Sequence, residues 1–176
     1  MSESGQSAQF EQLVMPHLDA AYNLARWLAG NDHDAQDIVQ EAYVRAFRFV
    51  GGFRGGNSRS WLLTIVRNTA YTWLRKNNAR SVVYIDDEEL AEIEDPAALA
   101  GDVALLQRAD AGTLRAALEQ LPVEFREAIV LRELEGLSYK EIAEVADVPI
   151  GTIMSRLARA RKQLSEVLQA KGGVRP

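Results

Sequence analysis

Residues 138–164 read SYKEIAEVADVPIGTIMSRLARARKQL, and the fold turns on how they are read. Ser138 and Glu141 have the Ser-x-x-Glu spacing of a capping box, in which each side chain accepts a hydrogen bond from the other residue's backbone N–H and so starts a helix. The helix predicted from this point runs about eight residues, Ala146, Asp147 and Val148 make a turn, and Pro149 sits where the first residue of a new helix tolerates the missing N–H. Helix, short turn and second helix have the spacing of a helix-turn-helix. In the second helix Ile150, Ile153, Leu157, Ala160 and Leu164 fall on one face and are predicted to pack inward. The opposite face carries Gly151, Thr152, Ser155, Arg159 and Lys162, with Arg156 at its flank. Short side chains near the helix start allow approach to a major groove, and the cations can neutralise phosphates or pair with guanine. Val148–Leu164 holds four basic residues and no acid. The plainer alternative is an amphipathic helix with a basic, solvated face.

That basic segment belongs to an acidic chain of 176 residues with net charge −5. The charge is unevenly distributed. Residues 1–82 carry net +2, residues 83–110 carry net −8, and residues 111–176 carry net +1. The boundaries predict two small domains, 1–82 and 111–176, joined by an acidic linker, 83–110. The alternative for the middle segment is a solubilising acidic loop. Both flanking parts have helical periodicity, so the expected fold is all-α. Phe10, Leu13, Val14, Leu18, Ala21, Ala25 and Leu28 form one run ending at Gly30. Asn31 or Asp32 then caps a second helix with an apolar stripe of Ile38, Val39, Ala42, Tyr43, Ala46 and Phe47. After a glycine-rich break, Trp61, Leu62, Ile65, Val66, Thr69 and Trp73 mark a third. In the last part Leu114, Leu118 and Leu121 make a helix stopped near Pro122, and Phe125, Ile129, Val130 and Leu134 make another closed by Gly136. Ser81–Ile85 is the one short β-like run.

Two further features accompany the helices. No acid lies between Glu41 and Asp86, a window with eight cations interleaved with Phe47, Phe49, Phe53, Trp61, Tyr71 and Trp73. Cations that follow phosphates and rings that stack on bases suit single-stranded nucleic acid, although Trp61 and Trp73 also fit a core stripe. Within it, GGFRGGNSRS cannot be helical throughout and could form a pocket for an extruded base. Ahead of the window, Asp34, Asp37, Gln40, Glu41 and Val44 recur at three and four residues and share a helix face. The macrodipole accounts for acids near the helix start but not for Gln40 and Glu41, so the stripe suggests a docking face for a basic protein.

DAQDIVQEAYVRAFR, FRGGNSRSWLLTIVRNTAYTWLRK and LPVEFREAIVLRELEGLSYKEIAEVADVPIGTIMSRLARARKQL together resemble the extracytoplasmic-function (ECF) group of bacterial sigma factors, over residues 10–168. The resemblance implies a role for each segment. Asp34, Asp37, Gln40, Glu41 and Val44 would bind the coiled coil of the beta-prime subunit of core RNA polymerase. Arg54, Asn57, Ser58 and Arg59, in the loop Phe53–Ser60, would capture a flipped base of the −10 promoter element. Trp61, Arg67, Asn68, Arg75 and Lys76 on the following helix would meet −10 DNA. Gly151, Thr152, Ser155, Arg156, Arg159 and Lys162 would read the −35 element, and the helix around Phe125–Leu134 would meet the beta flap. An anti-sigma factor is a further implied partner. Met154 and Ala158 depart from the family, in which many members carry a cation at the first position and a histidine or another polar residue at the second.

Other classes find less support. Without cysteine there is no disulfide or thiolate metal site, and His17 and His33 are far apart in sequence, so no metal or other cofactor is expected. No nucleophile with a base, paired catalytic carboxylates or Walker A loop stands out, so an enzyme is not expected. There is no apolar run of membrane-spanning length and no secretory signal pattern, so a cytoplasmic protein without membrane insertion is expected. A stand-alone helix-turn-helix regulator, its first domain a sensor, is the competing reading. It leaves the second basic window and the Asp34–Glu41 face without a purpose.

Overall fold

The computed structural model describes residues 3–77 and 110–170, which are all-helical. The acidic segment apart from Asp110, and the β-like run Ser81–Ile85, lie outside the described residues. The chain forms two compact units.

The first unit contains α1 (Glu3–Val14), α2 (Leu18–Ala29), α3 (Asp32–Phe49) and α4 (Ser58–Asn77). The periodic run expected from Phe10 to Leu28 is two helices. Pro16 lacks an N–H and its ring clashes with a preceding carbonyl, so Met15–His17 tighten into a 3₁₀ turn. Gly30 ends α2 as expected: its φ is 89°, a left-handed conformation that favours glycine, and its N–H returns to the Arg26 carbonyl. Asn31 caps α3, its side chain accepting the Asp34 N–H at 2.9 Å. Asp32, the other cap candidate, instead accepts from Tyr22 and Arg26 of α2, each at 2.9 Å. Leu24, Leu28, Ile38, Leu62, Leu63 and Val66 are buried where α2, α3 and α4 meet. Each such side chain contributes about 1.5–3 kcal/mol. α1 covers α3 through an edge-on Phe10–Phe47 contact at 5.6 Å and a 2.8 Å hydrogen bond from the Gln6 amide to the Phe47 carbonyl.

The later helices are α5 (Ala111–Glu119), α6 (Val123–Ile129), which continues as a π turn (Val130–Leu134), α7 (Tyr139–Ala146) and α8 (Ile150–Ala170), and all but the end of α7 belong to the second unit. Asp110 is the N-cap of α5, accepting the Thr113 N–H and hydroxyl at 2.8 Å each. Those two bonds, the backbone one first, hold its carboxyl below the usual range. The π turn corrects one predicted stripe. The Glu135 N–H reaches the Val130 carbonyl five residues back, at 3.1 Å. This wider turn rotates Leu134 out to 52% exposure, and Leu137 is fully buried instead. Arg132 then fixes the exit, donating to the Leu137 carbonyl at 2.9 Å while stacking 4.7 Å from the Tyr139 ring centre.

The capping box forms as expected: the Ser138 N–H donates to Glu141 at 3.0 Å and the Glu141 N–H to Ser138 at 3.1 Å. Asp147 takes φ 57° in the turn, a left-handed conformation that aspartate tolerates better than most residues. Pro149 stands one residue before α8, accepting the Thr152 and Ile153 N–H groups through its carbonyl. α8 packs on α5 and α6 through Ile153, Leu157, Ala160, Leu164 and Leu168, all buried. Ser138→Ala should lower stability by about 1 kcal/mol, read from urea unfolding followed by far-ultraviolet circular dichroism. An unchanged midpoint would show that the box contributes nothing in solution.

Candidate DNA and polymerase interfaces

The acidic stripe lies where its spacing placed it. On α3, Ala35, Ile38, Val39, Ala42 and Ala46 are buried, which turns Asp37, Gln40, Glu41 and Val44 to the surface and leaves Asp34 half-buried beside them. The five residues share one side of the helix. Asp34 is partly engaged at the helix start, accepting from the Asn31 amide at 2.7 Å. Glu41 pairs with Arg45 one turn on, at 2.9 Å, and Asp37 lies 3.9 Å from the His33 ring. Such exposed pairs are worth little, so a partner can exchange them cheaply. Val44, 59% exposed, adds an apolar contact to the acidic face.

The predicted loop Phe53–Ser60 is shorter than expected, because Ser58–Ser60 already form the first turn of α4. The loop proper turns at Gly55 and Gly56, whose φ values of 95° and 96° are strained for any residue with a Cβ. Asn57 then caps α4: its side chain accepts the Ser60 N–H at 3.2 Å and its carbonyl the Trp61 N–H at 3.1 Å. Ser58 bonds the His17 ring nitrogen at 3.1 Å. The two residues therefore hold the loop in shape, and Arg54 is exposed at its tip. No sequence signal linked His17 to Ser58, because the contact joins positions 41 residues apart.

On α4 the predicted stripe is rotated. Leu62, Leu63, Val66, Thr69, Ala70, Tyr71 and Leu74 are buried, whereas Trp61, Ile65 and Trp73 are only half-buried. Trp61, Ile65, Asn68, Thr72, Arg75 and Lys76 recur at three and four residues and form the outward face. Phe53 supports Trp61 edge-on at 5.5 Å. Arg67 lies beside this face, stacked 3.8 Å over the Tyr71 ring, with a 3.3 Å bond to Asn68. The result is an acid-free face with one supported indole and two terminal cations.

On α8 the structure corrects two assignments. Arg156, expected at the DNA-facing flank, is 5% exposed. It lies one position before Leu157 and three after Ile153, on the buried half of the helix. It is engaged within the protein, as a buried charge must be. Arg161 is buried similarly and pairs with Glu133 of the π turn at 2.9 Å. Ile150, expected in the core, is 48% exposed. The outward face keeps Gly151 and Lys162, which are exposed, and Thr152, Ser155 and Arg159, which are half-exposed; Met154 joins it at 53%. The spacing of Ile150, Met154 and Ala158 at four-residue intervals would have revealed this edge in the sequence, had Ile150 not been grouped with Ile153.

His33, Asp34 and Asp37 have ligand atoms within 4.8 Å of one another, but His33 and Asp37 are exposed and all three stand at a helix start. Among the described residues no helix is long and apolar enough to cross a membrane.

Two measurements follow from these placements. Arg156→Ala should cost about 2 kcal/mol of stability, the loss of bonds to a buried charge, whereas Lys162→Ala should leave the urea midpoint unchanged. Burial, and then the charge of Arg59, hold the His17 imidazole below its ordinary pKa of 6.5. The unfolded chain therefore takes up this proton first as pH falls. Stability supplied by neutral His17 is complete above pH 6.5 and declines below it. His17→Gln should flatten that acid limb in unfolding curves recorded from pH 7.5 to about 5.

Comparison with known proteins accounts for this arrangement. The sigma-70 region 2 family model matches residues 13–80, and the sigma-70 region 4 model matches residues 111–164. The chain is 38% identical over 161 residues to the ECF RNA polymerase sigma factor SigE of Mycolicibacterium smegmatis, covering 90% of this chain and 61% of that protein. It is 35% identical over 179 aligned positions to the ECF RNA polymerase sigma-E factor of Escherichia coli, covering 95% of this chain and 90% of that one. Among solved structures, the sigma factor RpoE of Bartonella quintana, crystallised with the anti-sigma factor NepR, matches with a TM-score of 0.68 and 32% identity, covering 91% of this chain and 96% of RpoE. Two sigma-70 regions in order, and 35% identity over nearly the whole of both this chain and the Escherichia coli sigma-E factor, mean that the chain belongs to the ECF RNA polymerase sigma factors, which recognise promoters and direct transcription initiation.

Proposed function

We propose that residues 1–82 bind core RNA polymerase and the −10 element, that residues 111–176 bind the −35 element, and that the acidic segment 83–110 connects them inside the enzyme. The observation that carries this is the pair of acid-free outward faces, on α4 and on α8, in one chain with an acidic docking face on α3. Asp34, Asp37, Gln40, Glu41 and Val44 offer the beta-prime coiled coil a carboxylate stripe with an apolar centre. The Gly55–Gly56 loop, with Arg54 at its tip, receives an unpaired base, and Trp61 offers a stacking surface next to it. Arg59, Arg67, Asn68, Arg75 and Lys76 extend that contact along the strand. Thr152, Ser155, Arg159 and Lys162 contact −35 DNA, with Gly151 allowing close approach. The exposed Leu134 of the π turn faces the beta flap. A net charge of −8 suits residues 83–110 to the positively charged interior channels of the polymerase.

Promoter opening draws on binding free energy, not on a reaction at this chain, so the protein acts as a cytoplasmic initiation factor and not as an enzyme. Capture of one base offsets an unstacking cost of about a few kcal/mol. Because phosphates are neutralised from two units, holoenzyme–promoter affinity falls steeply with salt, by a log–log slope near −0.9 per phosphate. The related RpoE was crystallised with an anti-sigma factor, NepR; a partner of that kind for this chain would inhibit by covering the same polymerase-facing surfaces.

Run-off transcription by core polymerase on a promoter pool tests the proposal. Added protein should produce transcripts that core alone does not; no such transcript would sink it. Asp37→Arg should weaken retention on the beta-prime coiled coil about tenfold, about 1.4 kcal/mol. Unchanged retention in a pull-down would remove the α3 face from the interface.

A further inference from the structure

The outward side of α8 has two unlike edges. Ile150, Met154 and Ala158 recur every four residues along one, and Ile150 and Met154 are about half exposed. Thr152, Ser155, Arg159 and Lys162 form the other. Gly151 starts the strip between them. A Cβ added at Gly151 would meet nothing of the protein within 4 Å, so the fold itself does not require glycine there. Glycine costs a helix up to about 1 kcal/mol relative to alanine, and here its missing side chain leaves space only outward. No acid interrupts the segment from Val148 to Ser165.

The arginine nearest these residues in sequence, Arg156, is buried and unavailable to a base. The first two turns of α8 thus present no cation outward. Their exposed long side chains, Ile150 and Met154, have no capacity for strong hydrogen bonds. In a major groove the feature such side chains recognise is the C5-methyl of thymine.

Resting on the reading of α8 as the −35 helix, the geometry points to Met154, assisted by Ile150, as a specificity-determining residue that selects thymine in the −35 element through its C5-methyl group. Arg159 and Lys162, later on the helix, hold the backbone or pair with guanine. Specificity at the start of the helix is then apolar, and it depends on the methyl group and not on a hydrogen-bond pattern.

The test uses holoenzyme assembled from core polymerase and the full chain, on templates with a randomised −35 element. Transcribed templates should be enriched in thymine at one or two adjacent positions. Each such thymine is then replaced by deoxyuridine, which removes only the methyl. In the unaltered protein, open-complex formation should fall about fourfold per methyl lost. In Met154→Ala the same replacement should have almost no effect, and in Met154→Leu the sensitivity should return. Met154 is exposed, so none of these variants disturbs the core. Equal sensitivity to deoxyuridine in the unaltered protein and Met154→Ala, or no thymine preference among transcribed templates, would overturn the assignment while leaving the promoter-binding role of α8 intact. Transcription indifferent to the whole −35 sequence would overturn that role as well.

Discussion

The burial of one line of residues along α8 governs what this protein can do with DNA. Ile153, Leu157, Ala160, Leu164 and Leu168 lock into α5 and α6, and a helix locked along one line cannot rotate. Each large apolar side chain removed from that line would cost about 2–5 kcal/mol, so the rotation is strongly enforced. It carries Arg156 and Arg161 inward and Met154 outward. Capping at Ser138 and the turn at Asp147 only set where α8 starts.

The same logic operates in the first unit. α4 buries Leu62, Leu63, Val66, Ala70 and Leu74 against its neighbours, and this leaves Trp61, Asn68, Arg75 and Lys76 on the outward side. α3 buries its alanines, Ile38 and Val39, and so holds Asp34, Asp37, Gln40, Glu41 and Val44 on the other side. In each case a strip of core decides a surface. The connecting devices are local and inexpensive: a left-handed glycine after α2, Asn57 before α4, and a π turn with Arg132 bracing its exit. These devices fix the loop geometry between rigid helices.

Charge divides the work further. Lys162 is exposed on α8, while the neighbouring Arg161 helps to hold the second unit together by reaching Glu133. A basic helix in this fold is therefore not uniformly basic in what it offers to DNA. Removing a buried arginine and removing an exposed lysine are different experiments, one acting on stability and the other on affinity and its salt dependence.

Much of this was legible along the chain. The capping box, the Gly30 stop, the Asn31 cap and the alternation of buried and exposed positions on α3 are short-range patterns, and hydrogen-bond geometry and the 3.6-residue period determine them within one helix. The order of the two sigma-70 regions and the concentration of negative charge between them were also present in the sequence. Only the tertiary structure decided the rest. Pro16 splits one apparent helix because of backbone sterics, and the π turn shifts the register at Leu134. His17 meets Ser58 because separate segments converge. That Arg156 is buried and Ile150 exposed comes from the neighbours α8 packs against. A helical period specifies which residues share a face, but the direction that face points is set by what the helix is packed on.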